Sequence, residues 1–102
     1  MQVEFHPQAA RQIYKSALSY EKQIAGLGYR YIEQIELSTD LLNARPESGK
    51  KIDKKFRHLA LHQFPFSLIY SIEADRIRIV TVHNRMQPAP AGKRVGNKIK
   101  PG

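Results

Sequence analysis

The sequence predicts one α+β domain of order β-α-α-β-β-β, with a helical hairpin packed on one face of a mainly antiparallel, twisted sheet. Two observations carry this. Apolar residues recur at helical spacing in two segments before Pro46, and the period changes to two after it. Turn residues separate the later segments at strand-length intervals. The chain of 102 residues is one domain by size, and 41% hydrophobic against 25% charged is enough to build a packed core.

Gln2 to Phe5 alternates Val3 and Phe5 against Gln2 and Glu4, which predicts a first strand at an edge or beside the last strand. Pro7 suits a first helical turn, where its missing N–H costs nothing. Ala10, Ile13, Tyr14, Ala17, Leu18 and Ile24 then mark one apolar face. Gly26 and Gly28 are expected as cap and turn. A second helix carries Tyr31, Ile32, Ile35 and Leu42 and stops before Pro46, and PESGKK is expected to be a loop.

Lys54 to His62 alternates and reads as a strand. Gln63-Phe64-Pro65 is the join, because proline cannot donate to a sheet ladder. Phe66 to Ile72 is almost wholly apolar, as a central strand would be, with Tyr70 in the core and its hydroxyl at an edge. Glu73-Ala74-Asp75 is a tight turn and Arg76 to His83 the last strand. These three strands are expected to form an antiparallel meander. The end, PAPAGKRVGNKIKPG, is rich in Pro, Gly and Lys. Residues 1–94 are expected to form the domain and 95–102 a mobile basic tail.

The absence of cysteine excludes a disulfide framework and thiolate metal sites. No basic-then-apolar leader and no run of ~20 apolar residues is present, so a cytoplasmic protein with no membrane partner is expected. The net charge is +8. Residues 1–44 carry four basic and five acidic groups, net −1; residues 45–102 carry thirteen and four, net +9. That asymmetry points to a polyanionic partner, against the blander reading of a solubilising surface.

Three pieces carry a family resemblance: FPF-x-x-x-Y within RHLALHQFPFSLIYSIE, a strand RIRIVTVHNR ending in His-x-Arg, and the spacing from Arg85 through Pro88 to Arg94. With the element order, they resemble the RelE/ParE superfamily of bacterial type II toxins over roughly residues 1–94. The ParE or plasmid-stabilisation branch is the most similar. Many relatives carry Tyr-Trp where this chain has Ala89-Pro90-Ala91.

The resemblance implies a toxin neutralised by a co-expressed antitoxin, with either of two targets. ParE-like relatives inhibit DNA gyrase, and RelE-like relatives cut mRNA on the ribosome. The FPF-x-x-x-Y element favours the first. RNA cleavage needs acid–base groups and cations at the phosphate, for which His83, Arg85 and Arg57 are the candidates. By strict alternation, His83 shares a face with Ile77 and Ile79, and Arg76 and Arg78 share the other with Val80 and Val82, unless a bulge intervenes. His83 and Arg85 would act together on one phosphate or carboxylate; the alternatives are a structural hydrogen bond for His83 and a pairing with Glu73 or Asp75 for Arg57.

A partner or nucleic acid is expected at Lys50, Lys51, Lys54, Lys55, Arg57, Arg76, Arg78, Arg85, Lys93 and Arg94. An acidic antitoxin would lie over Lys50–Arg57 and Arg76–Arg85. No cofactor and no metal are expected, since His58 and His62 on a strand lie ~13 Å apart. A basic binding module without toxicity is the third class.

Overall fold

The computed structural model describes residues 1–86. The expectations for Ala89-Pro90-Ala91, Lys93, Arg94 and residues 95–102 lie outside the described residues. The chain forms β1 (Gln2–Phe5), α1 (Pro7–Gln23), α2 (Leu27–Ala44), a 3₁₀ turn (Pro46–Ser48), β2 (Lys50–Lys51), β3 (Phe56–Ala60), β4 (Phe66–Ile72) and β5 (Arg76–Asn84). The strands make one sheet in the order β1-β5-β4-β3-β2. β1 runs parallel to β5, and the other pairs are antiparallel. The predicted α+β architecture is therefore the observed one.

The differences are local. PESGKK is not all loop, since Lys50 and Lys51 pair with His58 and Arg57 as an extra strand. β3 begins at Phe56 rather than Lys54 because the Asp53 carboxylate accepts from the Lys55 and Phe56 N–H groups, both at 2.8 Å, and closes a turn there. Gly28 lies inside the first turn of α2, not in the connection. Gly26 holds the left-handed conformation, φ 89°, that ends one helix approach and starts the next. Glu21 of α1 accepts from the Gly26 and Gly28 N–H groups at 2.7 and 3.0 Å, so a carboxylate caps the α2 N-terminus.

Both helices lie on one face of the sheet. Their buried residues Ala9, Ile13, Tyr31, Ile35 and Leu42 share a core with Leu68, Tyr70, Ile77, Ile79 and Val82. At one end Tyr20, Tyr31, Phe64 and Phe66 pack with ring centroids 5.0 to 6.3 Å apart, mostly tilted or edge-on. The Tyr31 hydroxyl is buried there with no hydrogen-bond partner. Burial pushes its pKa up to about 12; nearby Ser16 counters this weakly and Tyr20 adds to it.

The β4–β5 register shifts once. Ile69 faces Thr81 but Tyr70 faces Ile79, so Val80 is an extra residue. Buried positions on β5 run Ile77, Ile79, then Val82, a step of three where a regular strand takes two. Beyond Ile79, β1 no longer flanks β5. There the Gln12 side chain of α1 accepts from Val82 N–H and the Thr81 hydroxyl, both at 3.0 Å.

Gln12→Ala should leave the Val82 N–H without a partner and lower the unfolding free energy by about 1–3 kcal/mol. Denaturant unfolding checks this, with faster hydrogen exchange at Val82 as the local readout. An unchanged midpoint would mean that water replaces Gln12 fully. Tyr31→Phe removes a buried hydroxyl that satisfies nothing, so its melting temperature should equal or exceed that of the parent; a marked fall would show that Ser16 or another group does hold the hydroxyl.

Candidate functional site

The helices cover one face of the sheet and leave the other open. Directly opposed residues share a face, so the register identifies what that open face presents. Glu4, Arg78, Ser71 and Phe56 form one row across the strands. Thr81, Ile69, His58 and Lys50 form the next row, and His83, Ser67 and Ala60 the third. Along β4 the outward residues are thus Ser67, Ile69 and Ser71, small on both sides of one isoleucine. Half-buried Arg78 and His83 flank this line on one side, with Phe56 and His58 on the other.

The Val80 bulge decides which basic groups share a face. Strict alternation would put His83 and Arg78 on opposite faces; the bulge turns Val82 into the core and His83 outward, onto the face of Arg78. The two serines of β4 were the signal in the sequence for an outward row, since they interrupt an apolar run at even spacing. Ser67 and Ser71 are nonetheless buried by their neighbours. His58 and Phe56, which the sequence did not single out as a functional pair, border the same row.

Arg85 does not extend this face as a free cation. Its Nη1 donates to the Phe66 carbonyl and, at 3.2 Å, to the Ser67 hydroxyl; its Nη2 donates to the Phe64 carbonyl at 3.3 Å and reaches the Leu61 carbonyl at 3.5 Å. The side chain therefore ties the end of β5 to the β3–β4 turn. Arg57 is engaged in the same way at the opposite end. It lies opposite Tyr70, on the helix side, and donates to the Gly49 carbonyl at 2.9 Å and the Glu47 carbonyl at 3.3 Å. The Tyr70 hydroxyl donates to the Pro46 carbonyl at 2.7 Å and accepts from Gly49 N–H at 2.9 Å. A Cβ on Gly49 would lie 2.6 Å from the His58 carbonyl oxygen and 2.7 Å from that hydroxyl, so no larger residue fits.

Arg76 sits between two carboxylates, Glu73 at 3.2 Å and Glu4 at 3.3 Å. The hydrogen bond from Arg76 holds Glu73 below the usual carboxylate range, and the same bond, with Glu4 behind it, raises Arg76. The hydrogen bonds from Phe56 and Lys55 likewise lower Asp53. Lys54 and Lys55 lie in the turn between β2 and β3, and Lys50 and Lys51 on β2. The predicted site residues among those described therefore fall into two groups: Lys50 to Arg57, with Arg76 and Arg78 at the start of β5, at one end of the sheet, and His83 and Arg85 at the far end of β5. Among the described residues no three His, Asp or Glu side chains gather as a metal cluster, and no helix is long and apolar enough to cross a membrane.

Beside the sheet, Leu37 and Leu41 of α2 are exposed at 61% and 41%. With Leu59, Ala60, His62 and Gln63 they border a groove of about 490 Å³.

The comparisons with known proteins agree with this architecture. The family described as the ParE toxin of the type II toxin–antitoxin system, parDE, matches residues 3–88. A solved structure titled "Chromosomal ParDE TA system from P. aeruginosa" contains a similar chain, with TM-score 0.72 and 18% identity over 82% of this chain and 95% of that one. That likeness is one of fold. No curated protein matches in sequence. This chain belongs to the ParE toxin family of type II toxin–antitoxin systems.

Two measurements check the site's framework. Arg85→Ala leaves several carbonyls without their donor and should lower stability by about 2 kcal/mol, as expected for hydrogen bonds to a charged group. Arg85→Lys should recover only part of this, because an ammonium cannot fork across carbonyls; full recovery would contradict the fork. The lowered carboxyls of Asp53 and Glu73 favour the folded state above the ordinary carboxylate range, and that contribution is lost as pH falls through their lowered values. Asp53→Ala should accordingly lower the melting temperature at pH 7 and progressively less below about pH 4. A difference that stays constant down to pH 2 would show that the charge on Asp53 is irrelevant.

Proposed function

We propose that this chain is the toxin of a toxin–antitoxin pair, that an acidic antitoxin neutralises it by covering the open sheet face, and that it inhibits growth through DNA gyrase by binding rather than by hydrolysis. Family membership supports the toxin role. The observation that favours binding is the engagement of Arg57 and Arg85. Both guanidinium groups donate to main-chain carbonyls, so neither stands ready for a transition-state phosphate. What remains outward is the open face, with Ile69 between two serines, the charges of Arg78 and Lys50 at its borders, and the imidazoles of His58 and His83 beside them. Such a surface suits an acidic, partly apolar segment, and long-range attraction would speed its association at low salt.

One observation favours the RelE-like reading of an mRNA endoribonuclease. The bulge turns His83 to the open face, where its imidazole would meet a bound RNA, with Arg78 on the same face about 13 Å along the strand.

Induced expression followed by assays of plasmid supercoiling and mRNA integrity separates the two. The gyrase reading expects disturbed supercoiling with intact mRNA, and His83→Ala that stays toxic in proportion to folded protein. Cleaved mRNA with normal supercoiling, abolished by His83→Ala in a protein that still folds and binds its antitoxin, would overturn it.

A further inference from the structure

We infer that the outer face of the α1–α2 hairpin is the contact surface for a second copy of this chain, related by a two-fold axis that runs along the hairpin and lays α1 of each copy over α2 of the other. With about 3.6 residues per turn, Arg11, Tyr14, Lys15, Leu18 and Lys22 stand on the side of α1 opposite the buried Ala9 and Ile13. Tyr29, Glu33, Glu36 and Asp40 stand on the side of α2 opposite the buried Tyr31, Ile35 and Leu42. All of these outer residues are exposed, and three of them, Tyr14, Leu18 and Tyr29, are large and apolar with exposures of 65%, 45% and 69%. The charges are sorted by helix: cations on the outer side of α1, carboxylates on that of α2. Glu21, the acid of α1, is turned to the Gly26 and Gly28 N–H groups, and Arg30, the base of α2, reaches Gln63. Among the described residues the ion pairs all belong to Arg76, so none of the outer charges is paired within the chain.

A solvated helix face is best served by interspersed signs, so that neighbours one turn apart attract. Here Arg11 and Lys15 stand four apart, as do Glu36 and Asp40, and Glu33 and Glu36 stand three apart, so each pair repels. A partner that brings the opposite sign to each helix relieves both repulsions, and the same surface turned about a two-fold axis does this. The direction of the axis follows from the hairpin. A Cβ on Gly28 would strike the Ala17 carbonyl, and Ala10 and Ile13 border one cavity with Ile32, Ile35 and Glu36. The helices are therefore antiparallel, with Arg11 and Lys15 at the level of Glu33 and Glu36. An axis along the helices keeps these levels and sets opposite charges together, with Tyr14 and Leu18 against Tyr29. An axis across them sets α1 on α1 and like charges together. The net charge of +8 opposes self-association in general, but residues 7–44 carry four basic and four acidic groups, net 0. The described cations of the second half lie on the sheet and its turns, roughly a helix diameter of 10 Å behind this face, where about 0.1 M salt screens them. The face is about 25 Å long and about 20 Å wide, a small footprint that corresponds to a dissociation constant of about 10 μM. Contact here leaves the open sheet face uncovered, so it is independent of the antitoxin and gyrase readings.

Sedimentation equilibrium of the full chain, from about 1 μM to about 300 μM in about 0.1 M salt, tests this. The parent should pass from monomer to dimer within that range. Arg11→Glu with Lys15→Glu makes the outer side of α1 acidic like that of α2, and should weaken the dimer by roughly 100-fold. Glu33→Lys with Glu36→Lys makes both helices basic and should do the same. All four positions are exposed, so the helical circular dichroism of both variants should match the parent. An equimolar mixture of the two variants should dimerise again, because each α1 then meets an α2 of opposite sign. One chain carrying all four changes should dimerise as well. Both recoveries require folded chains, which separates a lost contact from a lost fold. A parent that stays monomeric at the highest concentration overturns the inference. So does a dimer that charge reversal leaves unchanged, since its contact lies elsewhere. Failure of the mixture and of the fourfold variant to associate rejects the placement of α1 over α2.

Discussion

One extra residue in one strand determines what this molecule presents to its surroundings. Because both helices sit on the same side of the sheet, every strand position must be either core or open surface. Val80 shifts that parity partway along β5. Without it, a strand carrying Ile77 and Ile79 inward would also carry His83 inward and Val82 outward, placing a titratable ring in the aromatic end of the core. With it, Val82 is buried and His83 joins Arg78 outside. Past the end of β1 the freed strand edge is covered not by backbone but by the side chain of Gln12. The bulge, the open-face cations and the first turns of α1 are therefore one coupled feature.

The two ends of the sheet are fixed by the same chemistry in different positions. At one end Arg85 gathers carbonyls of the β3–β4 turn; at the other Arg57 and Tyr70 gather carbonyls and an N–H around Gly49. Each is a charged or phenolic group satisfying main-chain atoms that short connections would otherwise leave unpaired. The consequence for function is subtractive. Of the thirteen basic residues after position 44, two arginines stabilise turns and Arg76 is held between Glu4 and Glu73, so among the described residues the charges left to a partner are those of Arg45, Arg78 and the four lysines from Lys50 to Lys55.

How much of this could be read from the residues alone follows from the range of each interaction. Helices, strands and their order were legible, because the periods of apolar residues are local and long enough to count. The one-sided packing was legible too, since Val3 and Phe5 against Gln2 and Glu4 require it. The turn at Asp53 was missed because Lys54 to His62 alternates well enough to pass for strand, while the carboxylate that ends the pairing acts two and three residues ahead. The bulge could be named only as a condition. Nothing near Val80 marks it, for the group that completes the edge, Gln12, is 70 positions away. Arg57 and Arg85 looked like site residues for a related reason: a sequence shows where a cation is, not which carbonyls lie within its reach.

The charge asymmetry between the halves acquires a sharper meaning from the fold. The +9 of the second half is not one patch. Lys50, Lys51, Lys54 and Lys55 lie at the β2 edge of the sheet, whereas Arg78, His58 and His83 border the open face around Ile69. Lys50 is where the two meet, opposite His58 on the open face and on the edge strand β2. An open face with one isoleucine between two serines favours a polypeptide that can place side chains against Ile69. An antitoxin laid across the open face, as proposed above, would therefore reach the edge lysines through Lys50, so the two charged regions are joined at one residue and not by a continuous patch.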